Sequence, residues 1–156
     1  MSMSLLHTVE NATTVHVDLA SLEDVLARVC GLVQVTQSVH ILLSGDEAIQ
    51  ELNQRFRGID STTDVLTFPS GQREPFPLGD IAISVPYAER QAQARGVSAH
   101  NELIALIVHG VLHLVGYDDE EEDDKTAMQK RMNEIGELIG TPIDAFWTSV
   151  LHQDEE

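Results

Sequence analysis

Hydrophobic and polar residues alternate along residues 13–19 (TTVHVDL) and 38–44 (SVHILLS), both rich in β-branched side chains. This period of two predicts two strands. Between them the period lengthens to that of a helix. Leu22, Val25, Leu26, Val29 and Val33 share one face of residues 21–33, with Ser21 as the N-cap. Residues 45–58 form a second helix, with Ala48, Ile49, Leu52 and Phe56 as its apolar stripe and Gly58 as its stop. A third strand over 63–69 ends at Pro69, and the following SGQREPFPLG, with two glycines and two prolines, reads as a surface loop. A fourth strand occupies 80–85, followed by a helix over 86–96 that opens on proline and closes on glycine.

The second half is helical. A long buried helix begins near Ser98 and stops at Gly116. Another starts in the acidic run that follows, carrying Met128, Met132, Ile135, Leu138 and Ile139 at helical spacing, and a short last helix runs from Pro142 through Trp147 to Leu151. Helices and short strands mix without strict alternation. The fold class expected is α+β, a small mixed sheet packed against a central helix and flanking helices. At 156 residues the chain fits one domain, 1–156, with an acidic tail near 152–156.

Composition adds little beyond a soluble globular class, with 42% apolar and 22% charged residues. The single cysteine, Cys30, rules out an internal disulfide framework, consistent with a reducing cytosol. The N-terminus lacks the pattern of a signal peptide. The longest uninterrupted apolar run, Leu103 to Val108, is too short to span a membrane. A cytoplasmic protein without membrane contact is expected.

Charge changes the picture more. The net value is −17, so the overall field repels nucleic acid, and binding to DNA is not expected. The distribution is uneven: residues 55–95 hold five acids and five bases and are neutral, while the flanking parts are strongly acidic. A grip on phosphate is expected from this middle segment, through Arg55, Arg57, Arg73, Arg90 or Arg95. Most of the seven aromatic residues read as core, so no base-stacking platform is expected.

The candidate chemistry lies in HGVLHLVGYDD, residues 109–119. His109 and His113 are four apart, so they share a helix face one turn apart and can hold one metal ion. Gly116 permits the chain reversal that ends the helix, and the turn after it can return a third side chain. The spacing matches the metzincin pattern H-E-x-x-H-x-x-G-x-x-H, with Asp119 in the third position. Gly110 stands where zinc peptidases carry their glutamate base, which argues against amide hydrolysis. Two histidines and a carboxylate are a known catalytic ligand set. Asp118 or Glu120 are alternatives for the third ligand. The plainer reading makes both histidines core residues and Gly116 a helix stop. Glu120 to Asp124 read as a solvated helix start, favoured by the helix dipole.

The same stretch resembles the H-G-x-L-H-L-x-G-Y-D-H motif of the YbeY proteins, bacterial metal-dependent endoribonucleases of ribosomal RNA maturation; ten of eleven positions fit. ELNQRFRGIDSTTDVLTFP resembles the family's L-N-x-x-[YF]-R-x-x-D-x-x-T-D-V-L-S-F-P segment, with Thr67 for the usual serine. LGDIAIS and QAQARG resemble its next strand and helix, and Met128, Met132 and Glu134 are a looser echo of its last helix. The resemblance runs from about Leu52 to Ile139. It implies a zincin-like domain holding one divalent ion, Zn2+ by preference. His109 and His113 match the first two ligands, Asp119 replaces the third histidine, and Arg57 matches the arginine considered catalytic.

The activity implied is single-strand-specific endoribonuclease cleavage in rRNA maturation, at the 3′ end of the small-subunit rRNA, and in ribosome quality control. The metal activates water or polarises a phosphodiester oxygen while Arg57 stabilises the charge that develops. From local sequence alone Arg57 serves equally as an ion-pair partner of Asp60 or Asp64. A non-catalytic ribosome-associated factor with a weakened metal site is the main alternative; a metallopeptidase is a weaker one.

Overall fold

The computed structural model describes residues 6–145 and 147–149. Its elements are β1 (Thr8–Asn11), α1 (Leu19–Leu32), β2 (Val39–Ser44), α2 (Asp46–Arg57), β3 (Val65–Pro69), β4 (Gly79–Ser84), α3 (Val85–Arg95), α4 (Ala99–Leu114) and α5 (Glu122–Ile139). The strands form one sheet in the order β1-β2-β4-β3. β1–β2 and β2–β4 are parallel, and β3 returns antiparallel along β4 as an edge strand. This is the mixed sheet with flanking helices that the pattern predicts.

Side-chain alternation divides the sheet into two faces. Ile41 and Leu43 of β2, Val65 of β3, and Ile81 and Ile83 of β4 join the main core with α1, α4 and α5. Leu66 and Ala82 point the other way, onto Ile49 of α2 in a much smaller cluster. Every residue of α4 from Glu102 to Leu112 is buried, because α1, α3, α5 and the sheet all pack against it. A helix apolar on all sides is stable only when so enclosed.

α4 crosses the sheet at Gly110. A Cβ at this position would lie 2.9 Å from Cδ1 of Ile81. The glycine that stands in the place of the peptidase glutamate is therefore the contact point of helix and sheet, and a glutamate side chain has no room there.

Five expectations are corrected. Residues 13–19 are not a strand. Thr13 donates from both its backbone N–H and its hydroxyl to Asn11 Oδ1, at 3.0 and 2.6 Å, and the Val15 N–H donates to Thr13 Oγ1. These side chains take the groups a ladder would need. The alternation survives only as Val15, Val17 and Leu19 leaning on the core. The first helix consequently begins at Leu19 with Asp18 as its N-cap, accepting from the Ser21 N–H at 3.1 Å; Ser21 is not the cap.

The stripe of α2 is also different. Asn53 is fully buried, donating to the Ser61 carbonyl, whereas Ala48 is exposed and Phe56 is 61% exposed. On α5, Leu138 faces solvent in the same way. Last, no helix forms among residues 141–145 and 147–149. The carbonyls of Ile143, Trp147 and Thr148 instead accept from Asn133, Gln129 and Arg95. Gly136 makes room for this segment along α5, where a Cβ would lie 2.8 Å from the Thr141 oxygen. Leu151 lies outside the described residues.

Candidate metal centre

α4 ends in a Schellman motif. Gly116 has φ +106°, its N–H donates to the His113 carbonyl, and the Tyr117 N–H donates to the Leu112 carbonyl. The chain thereby reverses over the last turn of the helix. Asp118 Oδ1 then accepts from the N–H groups of Asp119 and Glu120, at 2.7 and 3.3 Å. This commits the Asp118 carboxylate to shaping the turn, and the buried Asp119 points inward instead.

His109, His113 and Asp119 come together. The two Nε2 atoms are 3.1 Å apart, and His113 Nε2 is 3.4 Å from Asp119 Oδ2. One ligand atom from each residue lies within 4.8 Å of the others. Ligand bonds of ~2.0–2.1 Å at tetrahedral angles require donor separations of about 3.3 Å. The donor set therefore fits a small divalent ion by both chemistry and spacing. His109 is buried and His113 partly open, so the cluster sits at the floor of a cleft.

That cleft, of about 230 Å³, also receives Arg57, Leu66, Thr67, Glu120 and Ser149. Arg57 is the last residue of α2, placed by the left-handed turn at Gly58. Helices on opposite faces of the sheet thus meet at the β3 edge, two histidines from one and an arginine from the other. Beside Arg57, the exposed Phe56 packs edge-on against Phe68, with centroids 5.2 Å apart. Phe56 is one of the aromatic residues that do not join the core.

Buried residues outside the expected ligand set support these groups. The buried Asp64 accepts from the Val65 N–H, the Ser149 hydroxyl and the Gln91 amide, tying β3 to α3 and to the segment after α5. Glu102, also buried, accepts from the Trp147 indole N–H at 3.0 Å and lies 3.5 Å from Arg95 Nε. Burial pushes the Glu102 carboxyl above its ordinary range, with Arg95 and the Trp147 hydrogen bond pulling the other way. Asp64 lies within the family-like TTDV stretch, but nothing local in the sequence marks Trp147 or Ser149.

Residues 8–140 match the family model for Endoribonuclease YbeY. The chain belongs to the YbeY endoribonuclease family. Among its YbeY relatives, the Helicobacter pylori (strain ATCC 700392 / 26695) protein is 36% identical over 135 residues, 86% of this chain and 92% of that protein. The Sulfurovum sp. (strain NBC37-1) endoribonuclease YbeY is 35% identical over 148 residues, 88% of this chain and 95% of the relative. A Thermotoga maritima protein known from its solution structure superposes with a TM-score of 0.59 at 28% identity, covering 86% of this chain and 91% of its own. No single helix among the described residues is long and apolar enough to cross a membrane.

Proposed function

We propose that this YbeY chain is a metal-dependent endoribonuclease that hydrolyses single-stranded RNA in the cleft at the β3 edge. The observation that carries the reading is the convergence of His109, His113 and Asp119 on one point of a cleft that also receives Arg57. His109 and His113 would hold the ion through Nε2 and Asp119 through its carboxylate. Zn2+ suits a three-ligand site with one position left open. Bound there, such an ion supplies an activated water or a Lewis-acid contact to a phosphodiester oxygen.

The remaining chemistry belongs to the chain. Arg57 offers planar N–H donors to the phosphate and stabilises the charge that develops on its oxygens. The preference for a single strand is what the YbeY resemblance implies. With a net charge of −17, general electrostatics do not hold the RNA, and the neutral segment 55–95 forms the receiving wall. Family membership points to ribosomal RNA of the small subunit as the substrate and to the cytoplasm as the place of action.

Metal content measured by plasma emission, beside cleavage of a single-stranded RNA, tests this reading. The wild type is expected to carry one ion and to lose cleavage on chelation. Asp119→Ala is expected to lose most of the metal; equal metal in both proteins overturns the role of Asp119.

A further inference from the structure

We propose that Trp147, anchored by Glu102 and Arg95, is a positioning residue that holds the His109 imidazole in its ligand orientation. The inference rests on the metal reading of His109, His113 and Asp119. It concerns a part of the chain beyond residues 8–140, the span matched by the family model.

Glu102 and His109 are seven residues apart on α4, two turns, and therefore lie on one face of the helix. The indole of Trp147 bridges that distance. Its N–H is fixed at Glu102 Oε2, 3.0 Å away, and its ring lies against the His109 ring with centroids 5.1 Å apart. Because an indole is rigid, fixing one end orients the other. The Arg95 guanidinium lies 5.2 Å from the ring centroid, and its Nη2 donates to the Thr148 carbonyl at 2.7 Å. Trp147 is thus held at its edge, over its face and through its neighbour in the chain. The contact continues to His113, whose ring meets that of His109 edge-on at 4.5 Å.

The arrangement also explains Glu102. A carboxyl 1% exposed within an apolar helix is unfavourable unless it is paired, and its partners here are the indole and Arg95. A ligand histidine that is already oriented loses less freedom when it binds an ion, which is how outer groups raise metal affinity.

The test is metal affinity, read by competition with a chelating indicator on the full chain. Trp147→Ala is expected to weaken Zn2+ binding about ten-fold without changing the stoichiometry. Trp147→Phe, which keeps a ring but loses the N–H, is expected to fall between that variant and the wild type. Glu102→Ala should weaken binding, and Glu102→Gln, which retains an oxygen acceptor, should recover most of it. A structural role alone would lower stability in these variants and leave affinity unchanged.

Trp147 is the only tryptophan, so Co2+ loading of the wild type should quench its emission in step with occupancy. That measurement keeps the inference falsifiable even if Trp147→Ala does not fold, and the Glu102→Ala and Glu102→Gln affinities then separate positioning from a structural role. Affinities of all variants within about two-fold of wild type overturn the inference while leaving the metal site intact. Co2+ uptake without quenching does the same. A wild type that takes up no ion overturns the metal reading and this inference with it.

Discussion

α4 and α2 lie on opposite faces of the sheet, and each sends side chains to the cleft at the β3 edge, but they are anchored very differently. α4 is enclosed by three helices and the sheet, and His109 sits inside its continuous buried stretch. α2 rests on the sheet mainly through Ile49 and Leu52, and Phe56 beside Arg57 is largely exposed. The ligand-bearing half is therefore fixed by the core. The arginine-bearing half is fixed by a few contacts and a helix stop. Ion binding needs donors placed before the ion arrives, which a core helix provides, whereas the side chain facing a large flexible substrate needs access.

The largest test of this contrast is at the helix–sheet crossing. Gly110→Glu places a charged side chain where Ile81 already stands, and overpacking plus carboxylate burial should cost more than about 4 kcal/mol. Urea denaturation should show a chain that no longer folds cooperatively. Gly110→Ala should cost about 1–2 kcal/mol, the clash being partly offset by better helix propensity. Wild-type stability in Gly110→Ala would break the claim that α4 is locked at this point.

Arg57→Ala tests the other side. Loss of a charge-stabilising donor should reduce RNA cleavage by about 10²–10³-fold. Metal content should be unchanged, because Arg57 comes from α2 and the ligands from α4 and its turn. A parallel loss of metal would mean that the two halves are coupled, and the contrast would fail.

Much of this division was readable in the sequence, for identifiable reasons. The i, i+4 histidines and the glycine three residues beyond them follow helix geometry, so their placement needed no tertiary information. The selection of Asp119 over Asp118 did need it, since it depends on which carboxylate the turn spends on its own N–H groups. The strand expected at 13–19 failed because Asn11 and Thr13 compete locally for backbone groups, a contest that alternation does not register. Asn53 was invisible as a core residue because its burial depends on a loop carbonyl at Ser61. Trp147, read as part of a short helix, lies in an irregular segment fixed by side chains up to 85 residues earlier, since the Ser149 hydroxyl donates to Asp64 and Arg95 donates to the Thr148 carbonyl.

A smaller effect sharpens the difference in anchoring. Phe56→Ala removes an edge-on contact with Phe68 from a mostly exposed site, so the unfolding free energy should fall by about 1 kcal/mol. Leu106→Ala, on the fully buried face of α4, should cost about 2–5 kcal/mol. Equal costs in urea melts would show that α2 is held as firmly as α4.

The enclosed helix buries one carboxyl, that of Glu102, and its pH dependence is the finest test. Burial raises the Glu102 carboxyl above its ordinary value of 4.5, against the opposing pull of Arg95 and Trp147. In the folded chain Glu102 therefore holds its proton to higher pH than in the unfolded chain. Its contribution to stability is fully present below about pH 4.5, the unfolded value, and is lost as pH rises through the folded one. The informative quantity is the difference between wild type and Glu102→Gln. The glutamine variant keeps a hydrogen-bond acceptor but cannot ionise. Its stability relative to wild type should therefore rise as the pH is raised from 4.5 toward neutrality, in urea titrations at matched ionic strength. A difference that stays constant across that range would mean that Glu102 is no more costly to ionise inside α4 than in water, and the helix would then be less enclosed than its packing implies.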